Sequence, residues 1–186
     1  KSVSDVTKDE INKIFDASKF SLLAGCAPCQ PFSKYRLGKS DESDDRWNLL
    51  AQFQRLVRET KPDIVTMENV PRLQREAVFA RFVKSLESQG YEVWNEVVNC
   101  ADHGVPQQRE RLVLLASRLG PISLKPSVSR RKTVKEAIGK LPPIGAGEIC
   151  EKDPLHQSSG LSPLNFTRIR ASTPGGTWRD WDDELV

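Results

Sequence analysis

Apolar residues in the first part of the chain follow two different periods. A short apolar run, Phe20–Gly25, leads into the turn-rich stretch Cys26–Pro31, which is the pattern of a buried strand followed by a loop. Between residues 47 and 60 the apolar positions recur every three or four residues and stop before a proline, which predicts a helix. A second apolar run, Asp63–Met67, predicts another buried strand, which ends at the loop Glu68–Pro71.

The same alternation continues in the next fifty residues. A helical stripe over Val78–Leu86 ends near Gly90, and two β-rich segments, Tyr91–Val98 and Leu112–Ala116, are joined by Asn99–Arg111. Strands that alternate with helices are typical of a parallel α/β sheet, which binds ligands at the carboxyl ends of its strands. We therefore expect the loops that follow the first two strands to share one edge of the sheet.

The pattern changes near residue 120, where prolines begin to interrupt every segment. We place a boundary there and expect two regions, 1–120 and 121–186. One short helix is predicted in the second region by the capping pattern Thr133–Glu136. The rest is too irregular to predict an independent core.

Composition excludes several classes of protein. Four cysteines in 186 residues are too few for a disulfide-stapled mini-protein, and no apolar run approaches the roughly 20 residues that cross a bilayer. The N-terminus carries no apolar export signal, so we expect a cytoplasmic protein with no membrane partner. The net charge of +3 permits a nucleic-acid partner without demonstrating one. The chain starts at Lys1 and its one methionine is Met67, so we expect it to extend beyond both ends.

The pair Cys26-x-x-Cys29 has three interpretations when taken alone. It is a redox dithiol, half of a zinc site, or a single nucleophile beside a bystander cysteine. Cys100 and His103 would complete a zinc site of three cysteines and one histidine. The spacing does not choose among these.

Three motifs together carry a resemblance to a known family. They are Gly25–Ser33, which contains Pro-Cys-Gln, then Glu68-Asn69-Val70, then Gln107–Arg111, which reads Gln-x-Arg-x-Arg. In this order they closely resemble the cytosine-5 DNA methyltransferase family, over roughly residues 5 to 120. The resemblance implies an α/β, Rossmann-like methyltransferase core followed by the beginning of a target-recognition region. It also implies S-adenosylmethionine as the methyl donor, no metal, and double-stranded DNA as the partner.

The resemblance implies a role for each catalytic candidate. Cytosine C5 is a poor nucleophile, so the Cys29 thiolate first adds at C6 of a cytosine flipped out of the duplex. Arg109 and Arg111 would favour the thiolate, and Glu68 would protonate N3 while it binds N4.

Binding residues are also implied by the resemblance. Asp5, Pro28 and Leu49 match positions that contact the donor. Asn69 is expected to hold the loop geometry. The expected DNA-binding residues are Gln30, Ser33, Asn69, Gln107, Arg168, Arg170 and Arg179.

The sequence departs from the family at one motif and leaves two other functions open. None of its 11 glycines supplies the aromatic-x-Gly-x-Gly segment that opens the donor site, and the family's last segments are missing. A second hypothesis is therefore an inactive or split-subunit fragment that binds DNA or a complementing chain. A third is the zinc or dithiol module.

Overall fold

The computed structural model describes residues 2–16, 18–27, 48–128 and 130–186. Pro28, Cys29, Gln30 and Ser33 lie outside the described residues. The chain divides into two compact units, Lys1–Ala137 and Ile138–Val186.

The first unit contains a mixed β-sheet and the helices that cover it. Its described strands lie in the order β1-β2-β4-β3, with bounds β1 Leu22–Gly25, β2 Ile64–Asn69, β3 Glu92–Asn99 and β4 Glu110–Ser117. Its described α-helices are α1 Lys8–Asn12, α2 Asn48–Thr60, α3 Ala77–Ser88 and α4 Val134–Ile138, the last of which ends at the boundary between the units. The predicted alternation of strands and helices is confirmed.

Only part of this sheet is parallel. Strands β1 and β2 run parallel, with Gly25 opposite Met67, whereas β4 is antiparallel to both β2 and β3. The prediction of a parallel sheet was therefore wrong for its second half. The reason is the connection between β3 and β4, which holds a short 3-10 helix, Cys100–His103, where a parallel return needs a long crossover.

The antiparallel direction of β4 determines which segments lie together at the edge of the sheet where β1 and β2 end. Strand β2 ends at Asn69, and its register partner Leu112 lies near the beginning of β4. The end of β2 and the start of β4 therefore lie at the same edge as the end of β1. All three predicted motifs reach this edge.

The core lies between the sheet and helices α2 and α3. The helical stripes that the sequence predicted are buried, and the rings of Phe53 and Phe82 pack with centroids 5.8 Å apart. Tyr91 closes one end of the core and donates a hydrogen bond to the Pro62 carbonyl. The buried cluster comprises Leu50, Phe53, Val57, Val65, Met67, Leu73, Phe79, Phe82, Leu86, Tyr91, Leu112, Leu114 and Ala116.

Strand β1 is not buried, contrary to the prediction. Leu22 is 53% exposed, and no residue of the strand is fully buried. Within the described part of the chain β1 pairs with β2 alone, so it lies at the edge of the described sheet. An apolar run of four residues cannot distinguish an edge strand from a central one.

The first unit continues past the predicted boundary near residue 120. Ser127 and Val128 donate backbone hydrogen bonds to the carbonyl of Asp102, and the Arg131 guanidinium contacts the Asp102 carboxylate at 2.7 Å. The hydrogen bond from Arg131 lowers the pKa of Asp102 below its ordinary value. These contacts hold the proline-rich segment on the sheet domain as far as α4.

The capping pattern that predicted α4 is confirmed. The Thr133 hydroxyl accepts from the Glu136 backbone, and the Glu136 carboxylate accepts from Thr133 in return. The backbone N–H of Thr133, then the Arg130 guanidinium and the Thr133 hydroxyl, donate to the Glu136 carboxylate and lower its pKa to about 2.

The second unit is small and has no buried residue, as expected from its irregular sequence. It contains a hairpin, β5 Ile149–Cys150 and β6 Asp153–Gln157, and one longer helix, α5 Pro163–Ala171. The Ser162 hydroxyl caps the start of α5, and Pro163 occupies its first turn.

Candidate active site

An ion pair lies where β2 ends and β4 begins. Arg111 Nε is 2.6 Å from Glu68 Oε1, and the two side chains are 22% and 44% exposed. Glu68 pairs with Val113 in the sheet, and Arg111 lies two positions before Val113, so it is on the same face. A long side chain can cross this diagonal between strands, which is why the antiparallel pairing brings the two motifs together.

The second oxygen of Glu68 contacts the end of β1. The Cys26 thiol donates a hydrogen bond of 3.1 Å to Glu68 Oε2. Since Gly25 pairs with Met67, the next residues of the two parallel strands, Cys26 and Glu68, also lie side by side. The carboxylate therefore contacts both flanking strands.

Asn69 fixes the backbone beside this carboxylate. It is only 2% exposed, its amide nitrogen donates to the Ala27 carbonyl at 2.9 Å, and its amide oxygen accepts from the backbone N–H of Val70 at 2.9 Å. The side chain thus ties the residue two positions before Cys29 to the end of β2.

A cleft of about 430 Å³ opens at the carboxyl end of β1. Helix α2 supplies one wall through Leu49, Phe53 and Leu56, and Gly25 lies at the base, where an added Cβ would meet the Phe53 ring at 2.6 Å. Its size falls within the range of small-molecule sites. Among the described residues, the lining comprises Ser2, Val3, Leu23, Ala24, Gly25, Cys26, Ala27, Leu49, Phe53 and Leu56.

The predicted donor residues have different positions relative to this cleft. Leu49 lines it. Asp5 is exposed and does not line it, although it belongs to the same 3-10 turn as Val3, which does. Pro28 follows Ala27, the last described residue of this loop, and lies outside the described residues.

The predicted residues of the third motif divide into two groups. Arg111 points to Glu68, whereas Gln107 and Arg109 are exposed. The Arg109 carbonyl accepts from the Cys100 backbone at 2.9 Å, which joins the two ends of the β3–β4 connection.

Each of the three predicted tail arginines lies over an aromatic ring of the second unit. Arg168 stacks on Trp181 at 5.7 Å, Arg170 on Phe166 at 4.8 Å, and Arg179 on Trp178 at 5.1 Å. Arg168 differs from the others because its guanidinium also donates to the backbone oxygens of Leu185 at 2.6 Å and Val186 at 3.0 Å.

Two further features concern metals and membranes. Among the described residues, no three His, Cys, Asp or Glu side chains are placed to hold a metal ion. The predicted zinc set includes Cys29, which lies outside that part of the chain. None of the helices within the described ranges has the length and apolar character needed to span a bilayer.

Comparison with known proteins identifies the class. Residues 1–153 match the model of the family described as C-5 cytosine-specific DNA methylase. The chain therefore belongs to the C-5 cytosine-specific DNA methylase family. This confirms the family that the three motifs indicated, and the α/β fold expected with it.

Particular relatives agree with this assignment. The chain is 44% identical over 192 residues to Type II methylase M.HgiDII of Herpetosiphon aurantiacus, covering 100% of this chain and 54% of the relative. It is 37% identical to Type II methyltransferase M.XorII of Xanthomonas oryzae, covering 100% and 46%. The structure of Entamoeba histolytica methyltransferase EhMeth shares the fold, with a TM-score of 0.58 at 21% identity, over 72% of this chain and 41% of that one. The chain spans about half the length of the curated relatives it matches.

Sequence reasoning missed the contact between Cys26 and Glu68. It treated Cys26 as a ligand, a redox partner or a bystander, although both residues follow directly on neighbouring predicted strands. A parallel pairing of those strands in this register would have placed them together. The contribution of Phe53 and Leu56 to the cleft was also missed, since both were interpreted only as part of the apolar stripe of a predicted helix.

Proposed function

We propose that the protein is a DNA (cytosine-5-)-methyltransferase that acts on a cytosine flipped out of double-stranded DNA. The observation that supports this most directly is the arrangement at Glu68. One carboxylate, at the end of β2, contacts Arg111 of the third motif and Cys26 of the loop that leads to Cys29. This arrangement supports a site in which an acid, Glu68, and a cation, Arg111, act on one base together with the nucleophile Cys29.

In this proposal Cys29 starts the reaction. Its thiolate forms a bond to C6, and the electron pair of the C5–C6 double bond moves towards C5 and N3. Glu68 holds N4 and supplies a proton to N3, while the positive charges of Arg109 and Arg111 favour the thiolate. After the methyl group has reached C5, a base, for which a water molecule suffices, removes the C5 proton. The C5–C6 double bond then re-forms, the Cys29 thiolate is expelled, and N3 returns its proton to Glu68.

The cleft beside β1 fits the methyl donor. When bound, S-adenosylmethionine supplies an electrophilic methyl group. Leu49 and Phe53 offer apolar surface for an aromatic ring, and the cleft opens at Cys26 and Ala27, directly before the proposed nucleophile. We propose that Pro28 completes this wall and that Asp5 contributes a polar contact near Val3.

DNA contacts are assigned to the residues around this edge and in the second unit. We propose that Gln30, Ser33 and Gln107 contact the DNA near the flipped base, with Asn69 fixing the loop behind them. Arg168, Arg170 and Arg179 belong to the region proposed to recognise the target. Within it we propose that Arg170 and Arg179 contact the DNA, whereas Arg168 is bound to the backbone oxygens of Leu185 and Val186. Since the relatives are named as Type II enzymes, we infer a role in a restriction-modification system of a bacterial cytoplasm.

Covalent trapping tests this proposal. Incubation with S-adenosylmethionine and duplex DNA that contains 5-fluorocytosine should give a denaturation-resistant adduct, because fluorine at C5 prevents the final elimination. Cys29→Ser should abolish the adduct, and Cys150→Ser, in the second unit, should not. The same assay is run with a chimera in which this chain replaces the matching segment of M.HgiDII. The rest of M.HgiDII then supplies the length that this chain does not span. Failure of both proteins to form an adduct would overturn the proposal.

A further inference from the structure

Cys26 is not used by the mechanism above, yet it contacts the carboxylate at its centre. Its thiol lies 3.1 Å from Glu68 Oε2, and the other oxygen, Oε1, is held by Arg111 at 2.6 Å. The two carboxylate oxygens therefore have different neighbours, one cationic and one neutral.

Packing alone does not orient the Glu68 side chain. It is 44% exposed, so its rotamer depends on the groups that bind its oxygens. A single contact at Oε1 would let the carboxylate turn about that contact. Two contacts from opposite flanking strands, β1 and β4, fix its plane.

We propose that Cys26 is a positioning residue for Glu68, an inference that rests on the proposed function. A thiol can donate or accept a hydrogen bond, so the contact is compatible with both the ionised and the protonated carboxyl group. This suits a group that gives up a proton during the reaction. Cys26 also lines the cleft beside β1, so it connects that cleft to Glu68.

The first test compares two substitutions at Cys26 in single-turnover methylation. Cys26→Ala removes the contact and should slow the chemical step by about 10- to 100-fold, because small displacements of a reacting group are costly. Cys26→Ser keeps a donor and acceptor and should restore most of the rate. Affinity for DNA and the thermal midpoint should stay at wild-type values in both. Cys150→Ala, the matched control, should react at the wild-type rate.

A double-mutant cycle separates positioning from general structural damage. If Cys26 acts through Glu68, adding Cys26→Ala to Glu68→Ala should reduce the remaining rate by less than about twofold, because the interaction is already lost. A wild-type rate for Cys26→Ala, or equal losses in both backgrounds, would overturn the proposal.

A second measurement does not depend on activity. Alkylation of Cys26 by iodoacetamide, followed by peptide mass spectrometry, should be about threefold or more faster in Glu68→Gln than in the wild type, since a neighbouring carboxylate opposes thiolate formation. Unchanged alkylation would refute the contact itself. If the wild-type protein methylates no cytosine, the proposed function fails, and the alkylation rates still decide whether Cys26 holds Glu68.

Discussion

Arg111 Nε and Glu68 Oε1 lie 2.6 Å apart across two antiparallel strands, and both side chains remain partly exposed. Partly exposed ion pairs contribute about 0 to 1 kcal/mol to stability. We therefore expect this ion pair to contribute to the rate of the reaction and not to the stability of the fold.

Arg111→Lys tests this distinction. Lysine keeps the charge but loses the planar group that fits a carboxylate, so methyl transfer should fall by about 10-fold or more. The free energy of unfolding should change by less than about 1 kcal/mol. Arg130→Lys, which alters the exposed pair with Glu136, is the control and should change neither. A large loss of stability in Arg111→Lys would show that the pair is structural.

Gly25→Ala should deform both the core and the cleft. The new Cβ would lie 2.6 Å from the Phe53 ring, which is buried against Phe82. Overpacking of this kind costs about 1 to 3 kcal/mol, which urea denaturation would measure. The displaced ring also narrows the cleft, so affinity for S-adenosylmethionine should fall in calorimetry.

A second substitution shows whether the ring is the cause. Phe53→Leu provides space for the added methyl group, so Gly25→Ala combined with Phe53→Leu should be less destabilised than the sum of the single variants. Additive losses would mean that the strain lies elsewhere.

Asn69→Asp should loosen the loop before Cys29. The change preserves shape and the acceptor for Val70 but replaces the donor to the Ala27 carbonyl by an oxygen. Loss of a buried hydrogen bond costs about 1 to 3 kcal/mol in unfolding free energy. Asn95→Asp is the control, because the Asn95 side chain only accepts a hydrogen bond, which Gln74 donates. Its free energy of unfolding should change by less than about 0.5 kcal/mol. Equal stability of the two variants would contradict this role for Asn69.

How far the sequence predicts this molecule depends on the range of each interaction. The helical stripes that contain Phe53 and Phe82 and the capping box at Thr133 are local patterns, and each was found where expected. The antiparallel direction of β4 was not predicted, because the direction of a strand in a sheet depends on pairing between distant segments. The contact of Arg111 with Glu68 follows from that direction, so the motifs predicted both residues but not their geometry.

The pH dependence of stability should include a contribution from Asp63. The backbone N–H of Ser21, followed by its hydroxyl, donates to the Asp63 carboxylate and lowers its pKa below the ordinary value of 3.8. A lowered pKa in the folded state gives stability that is present above pH 3.8 and is lost as the pH falls through the folded value.

Urea denaturation between pH 7 and pH 2 measures this contribution. Asp63→Asn should lower stability at neutral pH and flatten the acid dependence. An identical acid slope in Asp63→Asn and the wild type would exclude Asp63 as a contributor.

We expect substitutions of the three tail arginines to have two kinds of effect, one on the structure of the second unit and the other on DNA binding. Arg168 donates to the backbone oxygens of Leu185 and Val186, so its charge is engaged within the second unit, whereas Arg170 and Arg179 only stack on exposed rings. Arg170→Ala and Arg179→Ala should each weaken DNA binding and reduce the slope of log affinity against log salt by about 1, because each would remove one of the proposed phosphate contacts. Arg168→Ala should instead increase proteolysis of the second unit. A salt slope that changes only in Arg168→Ala would reverse this assignment, and it would mean that the guanidinium leaves its carbonyl partners when DNA binds.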